Sequence, residues 1–357
     1  MDEPIFRCLV IGDPHVKFDN KDKIDKLIDK VIEIIEESEK KKKINPTEEI
    51  DVIVVLGDLL HRHEKIYTEE LEIASNMLNK LRKIKTTVSL IGNHDRINNS
   101  EYLTHTHPFI GHKKWENLYI VDSPTYLYVG KNDKYRAIAC PYVPVGKFQE
   151  ALDKLDNDTI KKGKKSFKEF PPLVIFAHQE LRGCKMGVIT SNKGDKWPKE
   201  NPLIISGHIH EHQIMGNIFY PGTPFQHDFN ESEDKGIYLF TFYEGRKYSY
   251  NKINLDIKKK KNLKLTISDY MKFDIKDYKD YDVKVNIQDD LSQINSMKDD
   301  IRKKAKIEQI KISFKPNRVI EKISSTKRGF LPILFEKIKG NEMIEKLFNE
   351  IFEDDLK

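Results

Sequence analysis

The stretch "DVIVVLGDLLHRHEK", residues 51–65, is apolar from Val52 through Leu56 and then turns abruptly into glycine, aspartate and histidine. A short continuous apolar run that stops at a glycine reads as a strand buried on both faces. Asp58, His61, Arg62, His63 and Glu64 then stand in the loop that this strand feeds. The same design occurs four more times: "LVIGDPH" ends in Asp13 and His15, "SLIGNHD" in Asn93, His94 and Asp95, "VIFAH" in His178, and "IISGHIH" in His208 and His210. Between the first three strands lie helical patterns, with Ile24, Leu27, Ile28, Val31 and Ile35 at helical spacing in one and a second helix around Glu69 to Lys83. The order βαβαβ predicts a parallel or mixed sheet flanked by helices. In such folds sites form outside the carboxyl ends of the strands, so the five polar endings are expected to converge.

From about Leu118 onward short strands dominate ("LYIVDSP", "RAIACPY", "NIFYPG", "GIYLFTFYEG"), which suggests a second sheet packed on the first. Beyond residue 250 the chain becomes more polar. "KKKKN", residues 258–262, reads as a linker or exposed turn, followed by the strand "YDVKVNI", the helix "DDLSQINSMKDDIRKKA" and the strand "IEQIKISF". After "PNR" come two short amphipathic helix candidates separated at Gly340, the second with a stripe of Met343, Ile344, Leu347, Phe348, Ile351 and Phe352. The expected division is a main domain over 1–250, a small domain over 251–316 and a helical tail over 317–357.

A chain of 357 residues with 38% hydrophobic and 33% charged residues can bury a sizeable core under a highly charged surface. Its 62 basic and 57 acidic residues leave a net charge of only +5, so the lysine runs at 40–43, 161–165 and 258–261 read first as solvated faces and second as phosphate contacts. The three cysteines are far apart, which speaks against a disulfide framework or a zinc ribbon. No long apolar run or signal-like leader is evident, and the expectation is an intracellular protein without a membrane segment. The wealth of Lys, Ile and Asn fits an AT-rich genome such as that of a phage or large virus.

A lone histidine after a strand is usually a turn or core residue. Strand-end carboxylates together with an amide and several imidazoles form instead a mixed oxygen and nitrogen set, which suits manganese, iron or zinc better than calcium. Two such ions could clamp the attacking and leaving oxygens of a phosphoryl displacement.

Taken in order, D-x-H, G-D, G-N-H-D, a strand-end H and G-H-x-H resemble the full signature of the calcineurin-like metallophosphoesterase superfamily. The resemblance spans residues 13 to 210. It implies an α/β fold, the four-layer α-β-β-α sandwich of metallophosphatases, here with a small C-terminal α+β capping domain and a helical tail. It further implies that Asp13, His15, Asp58 and His210 hold one metal and Asp58, Asn93, His178 and His208 the second, with Asp58 between them and a metal-bridging hydroxide as the attacking group. His94 would stabilise charge on the phosphate or protonate the leaving oxygen. Asp95 would either orient His94 by a hydrogen bond or act directly.

Within the superfamily, Ser/Thr protein phosphatases read G-D-x-V-D-R-G and G-N-H-E, and this chain departs from both. Arg62 falls at their phosphate-binding arginine, but His61 replaces the aspartate and His63 the glycine. G-D-L-x-H is similar instead to nuclease subunits of the SbcD type, which include the meiotic recombination nuclease and the recombination endonucleases of phages and viruses. There the histidine three places after the bridging aspartate assists cleavage, the role His61 would inherit. "YPGTPFQHDFN" looks like the segment that closes their nuclease domain, with Thr223 where serine is common. The resemblance thus implies a two-metal DNA nuclease of double-strand-break repair or recombination. Two divalent ions, with Mn2+ favoured over Fe2+, Mg2+ or Zn2+, would be its cofactors. Its partners would be DNA and an SbcC-like SMC-type ATPase bound through the C-terminal helices, with a homodimer also allowed. The alternative is a phosphodiesterase or phosphatase acting on small or non-DNA phosphoesters. The remaining histidines, His105, His107, His112, His212 and His227, have no ligand spacing and are read as turn or surface residues.

Overall fold

The structure is a computed structural model that describes residues 3–187, 189–317, 334 and 336–352. Strand β1 (Phe6–Ile11), helix α1 (Lys21–Lys42), β2 (Val52–Val55), α2 (Thr68–Ile84), β3 (Thr87–Leu90) and β4 (Leu118–Val121) form the first run. It is followed by β5 (Thr125–Val129), β6 (Tyr135–Ala139), α3 (Phe148–Lys161), β7 (Val174–His178), β8 (Lys185–Met186), β9 (Ile189–Thr190) and β10 (Leu203–Gly207). Then come β11 (Gln213–Met215), β12 (Ile218–Tyr220), β13 (Ile237–Phe242) and β14 (Tyr248–Ile253).

Two six-stranded sheets result, in the orders β14-β13-β1-β2-β3-β4 and β11-β12-β10-β7-β6-β5. The inner strands β1, β2, β3 and β4 run parallel, as do β6, β7, β10 and β12, while β13, β14, β5 and β11 pair antiparallel at the flanks. The two-residue period of the strands explains the layering. Leu9 and Ile11 of β1, with Ile53 and Val55 of β2, face Leu27, Val31 and Ile35 of α1 and Met77, Leu78 and Leu81 of α2. Cys8, Val10, Val52 and Val54 point the other way and pack with Ala137, Val174, Phe176, Ile205 and Phe219 of the second sheet. The outer face of that sheet, with Ile138, Ile175 and Ile204, is covered by Phe148, Ala151 and Leu152 of α3. The chain is therefore a four-layer α-β-β-α sandwich. Because β1–β3 and β7 with β10 are neighbours of one direction, all five polar endings leave the sheets at one rim.

The remaining elements are β15 (Lys259–Leu265), α4 (Ile267–Lys272), β16 (Tyr281–Asp289), α5 (Leu291–Ile307), β17 (Lys311–Pro316) and a helix over Glu342–Phe352. Two compact units divide the chain, one of Met1–Leu263 with Asp274–Lys284 and one of Lys264–Phe273 with Val285–Lys357. Inside the second unit Lys304 of α5 donates to the carbonyls of Tyr270 (2.9 Å) and Phe273 (3.1 Å) at the C-terminal end of α4. Residues 318–333 and 353–357 of the expected helical tail lie outside the described residues; in the helix Glu342–Phe352, Met343, Ile344 and Leu347 are exposed and Phe348 is buried. Among the described residues no helix is long and apolar enough to cross a membrane.

Two elements differ from expectation. "KKKKN" is no exposed turn, because from Lys259 it is strand β15, whose Lys260 N–H and C=O are both clamped by the Gln226 side chain and whose Lys261 pairs with Glu233 at 2.7 Å. Acidic and amide partners from the 226–233 segment override the solvated reading of a lysine run. Helix α3 was not expected, although Phe148, Ala151, Leu152 and Leu155 carry its spacing.

At the end of β4 the buried Asp122 binds the loop that precedes this strand: its Oδ2 accepts from His105 Nδ1 (2.8 Å), His107 Nε2 (3.2 Å) and Lys113 Nζ (2.5 Å). Burial raises the affinity of this carboxyl for protons, but the three hydrogen bonds prevail and hold it well below the usual carboxylate range. A depressed folded-state value stabilises the fold above the unfolded value, near pH 4, and that contribution is lost as the pH falls below it. We therefore expect Asp122→Asn to cost about 1–3 kcal/mol in urea unfolding at pH 7. The gap to the parent should narrow by pH 3, and a gap independent of pH would refute this reading of Asp122.

Candidate metal centre

The rim of the sheets imposes strain on the residues it presents. His15 (φ 42°), Asp58 (φ 48°) and His208 (φ 76°) all occupy the left-handed region, at a cost of about 1–3 kcal/mol each, as is common where side chains are aimed at a site. Two glycines make room for them. A Cβ on Gly92 would lie 2.1 Å from Asp58 Oδ1, and one on Gly207 would lie 2.3 Å from Asp13 Oδ1.

Each imidazole commits one nitrogen to an acceptor outside the cluster and turns the other inward. His15 Nδ1 lies 3.3 Å from the Leu60 carbonyl, His178 Nδ1 2.8 Å from the Leu56 carbonyl, His210 Nδ1 3.3 Å from the Glu231 carboxylate, and His94 Nδ1 2.6 Å from the His61 carbonyl. A carbonyl or carboxylate only accepts, so Nδ1 carries a proton and each Nε2 is turned to the shared volume, free to act as a ligand whenever it is unprotonated. There His15 Nε2 and His210 Nε2 face one another at 2.9 Å. Asn93 Oδ1 lies 3.0 Å from His178 Nε2 and 2.9 Å from His208 Nδ1, and Asn93 is held in this orientation by the hydrogen bond that its Nδ2 donates to Asn99 Oδ1. The Asp58 carboxylate stands between the two groups, with Oδ1 3.3 Å from His178 Nε2 and Oδ2 3.7 Å from His15 Nε2. Asp13 Oδ1 is buried with no hydrogen-bond partner.

Nitrogen and oxygen donors that converge on one buried volume in this way fit cations. Asp13, His15 and His210 form one group, and Asp58, His178 and His208 another; the ligand atoms of each group lie within 4.8 Å of one another. The chemistry of the donors, imidazole nitrogens with carboxylate and amide oxygens, suits divalent transition ions. The electrostatics agree. Burial lowers His15 well below its ordinary value and His208 to about 3, so both stay neutral. Burial also lifts Asp13 to about 7, with the nearby Asp58 charge adding to the shift. Asp58 feels the same burial, yet the imidazoles of His178 and His15 bring it well below the carboxylate range, while the two aspartates, against the pull of burial, lift His178 to about 9. The protein alone thus holds this carboxylate ionised only by keeping a proton on His178.

Asp13, His15, Asp58, Asn93, His94, His178, His208 and His210 are all brought together, as the sequence leads one to expect. His61 joins them at the open side, its ring 5.3 Å from His15 and 6.1 Å from His94; burial, with Lys17 nearby, lowers it to about 4. Asp95 takes neither role considered for it. Its carboxylate accepts from the N–H groups of Leu59 (3.2 Å), Leu60 (2.9 Å) and Gly92 (3.0 Å), which ties the Asp58 loop to the His94 loop, and His94 is oriented by the His61 carbonyl instead. Glu231 and His227 were missed. Glu231 Oε1 faces His210 Nδ1 while its Oε2 accepts from His227 N–H at 2.9 Å, and the His227 ring packs 5.2 Å from His15. Neither has a strand-end motif to betray it. His63 packs on His94 with ring centroids 3.9 Å apart. His105 and His107 bind Asp122, His112 lies 2.9 Å from Ser75 Oγ and His212 2.8 Å from the Tyr220 carbonyl, all as local structural contacts.

Residues 6–212 match the model of the calcineurin-like phosphoesterase family. The chain is 41% identical over 268 residues to a protein of Invertebrate iridescent virus 6 provisionally named phosphoesterase 244L, covering 74% of this chain and 87% of that one. It is 34% identical over 350 residues to a protein of Invertebrate iridescent virus 3 provisionally named phosphoesterase 078R, covering 95% of this chain and 94% of the relative.

If Glu231 sets the tautomer of His210, Glu231→Gln should weaken Mn2+ binding at the site of Asp13, His15 and His210 about 10- to 100-fold and leave the second site nearly unchanged. Titration calorimetry resolves the two, and equal affinity of parent and variant at both sites would rule the role out.

Proposed function

The chain belongs to the calcineurin-like phosphoesterase family and is a metal-dependent phosphoesterase; from that premise we propose that its substrate is DNA, cleaved at phosphodiester bonds as a step of break repair or recombination. The observation that carries this reading is the character of the open side of the centre. It is lined by the imidazoles of His61, His63 and His94, while Arg62 is turned to the Tyr67 ring (4.5 Å) and the Glu70 carboxylate (4.0 Å). A phosphate monoester carries two charges and calls for a bidentate guanidinium; a diester carries one and does not.

Asp13, His15, Asp58, Asn93, His178, His208 and His210 would hold two divalent ions, of which Mn2+ is our choice, and such ions supply charge neutralisation and an activated water. The chain's own groups do the rest. His94 keeps its Nδ1 proton on the His61 carbonyl and turns Nε2 inward, 3.9 Å from Asp58 Oδ2. A proton taken up there can pass to the leaving oxygen. His61, neutral above about pH 5, can donate a hydrogen bond to a phosphate oxygen without repelling a bound cation. The exposed Met343, Ile344 and Leu347 support a partner on the helix Glu342–Phe352, and an SMC-type ATPase is the partner we propose.

Manganese-dependent turnover of duplex DNA, bis-p-nitrophenyl phosphate and p-nitrophenyl phosphate tests the reading. We expect both diesters to be cleaved, the monoester to lag far behind, EDTA to abolish activity, and His94→Leu to lower diester cleavage about 10²- to 10⁴-fold with an unchanged circular dichroism spectrum. Preference for the monoester would remove DNA as the substrate.

A further inference from the structure

Between the loop that carries His61 and the loop that follows His94 lies a half-open cavity of about 270 Å³. One part of its wall is His94 itself, so the cavity opens directly beside the phosphoryl-transfer centre. Leu60, Ile66, Ile97 and Pro108 form the aliphatic part of the wall, and charged or polar side chains, among them Arg62, Glu64, Arg96 and Thr106, form the rest. Ile66 is 54% exposed and Ile97 50% exposed. A single exposed isoleucine needs no explanation, but here two from different loops border one hollow next to the reacting atoms. The walls are braced from behind. Asp95 ties the Leu59–Leu60 backbone to Gly92, the Arg96 guanidinium donates to the Glu101 carbonyl at 2.8 Å, and Asp122 holds the loop of His107.

We propose that this cavity receives one unstacked nucleobase, that of a nucleotide flanking the scissile phosphate. The inference rests on the DNA reading above and names a part of the substrate that the metal centre does not contact. A volume of about 270 Å³ falls just below the roughly 300–1,000 Å³ of ordinary small-molecule sites, too small for a stacked base pair and sufficient for a single ring system. Aliphatic side chains on two loops offer contact to both faces of a planar ring, and the Arg96 and Thr106 positions offer polar contact at its edge. A nucleoside carries its base a few bonds from the phosphate oxygens, across the sugar ring, so a base can reach a hollow that adjoins His94. The structure then favours ends and distorted duplexes, where a base leaves the stack at low cost.

The test uses the full chain with Mn2+ and three dinucleotides: thymidylyl-(3′→5′)-thymidine and its two analogues with an abasic deoxyribose on either side of the phosphate. We expect one abasic analogue to be cleaved about ten- to a hundredfold more slowly than the parent dinucleotide. Ile97→Glu, on the exposed rim, should erase that difference while the circular dichroism spectrum and Mn2+ affinity stay those of the parent, and Ile66→Ala should reduce the difference. Equal rates on all three dinucleotides at any absolute level, or an Ile97→Glu protein that keeps the full difference, would overturn the proposal. Duplex DNA in parallel reactions separates the two claims: base discrimination on dinucleotides with no cleavage of duplex would retire the nuclease reading and still place a base in the cavity.

Discussion

The centre depends on a single buried charge, the carboxylate of Asp58. It sits in the left-handed region at the end of β2, where burial opposes ionisation and only neighbouring positive charge can reverse that penalty. The fold answers by directing imidazoles at it from four other strand ends and by locking their outer nitrogens onto carbonyls of Leu56, Leu60 and His61 and the carboxylate of Glu231. The locks matter as much as the ligands, because they turn the other nitrogens inward, free to act as ligands whenever unprotonated. A proton on His178 can meet the need in part, and so metal binding competes with that proton and strengthens as the pH rises.

Much of this was legible in the residues. A run such as "DVIVVLGD" states both a strand buried on two faces and the point where it ends, and five such runs state a common rim. The four-layer sandwich also follows, since Cys8 and Val10 must find an apolar partner opposite to the one that Leu9 and Ile11 find. What stayed hidden was whatever depends on distant chain meeting distant chain. Glu231 lies 21 residues from His210 in an acidic loop that reads as solvent-exposed. Asp95 stands next to His94 in sequence, yet two of its hydrogen bonds go to the backbone of another loop. The lysines of β15 read as solvated because the acidic and amide side chains that pair with them come from 34 and 28 residues away.

The same loops build the metal centre and the cavity beside it. The Asp58 loop supplies the Asp58 carboxylate, the carbonyl that orients His94, and Leu60 and Ile66 of the adjoining cavity; the His94 loop supplies the His94 imidazole and Ile97. Asp95 joins the two loops through three backbone N–H groups, and burial beside Asp58 lifts it to about 6. A shift of either loop would therefore disturb the ligand geometry and the fit of the substrate together.

The central claim is that Asp58 bridges two ions. Electron paramagnetic resonance of the protein loaded with two equivalents of Mn2+ tests it most directly, because a shared carboxylate places the ions close enough for spin coupling. The account predicts a coupled multiline spectrum in the parent chain that gives way to isolated six-line signals in Asp58→Asn. Six-line signals of uncoupled Mn2+ in the fully loaded parent chain would contradict it.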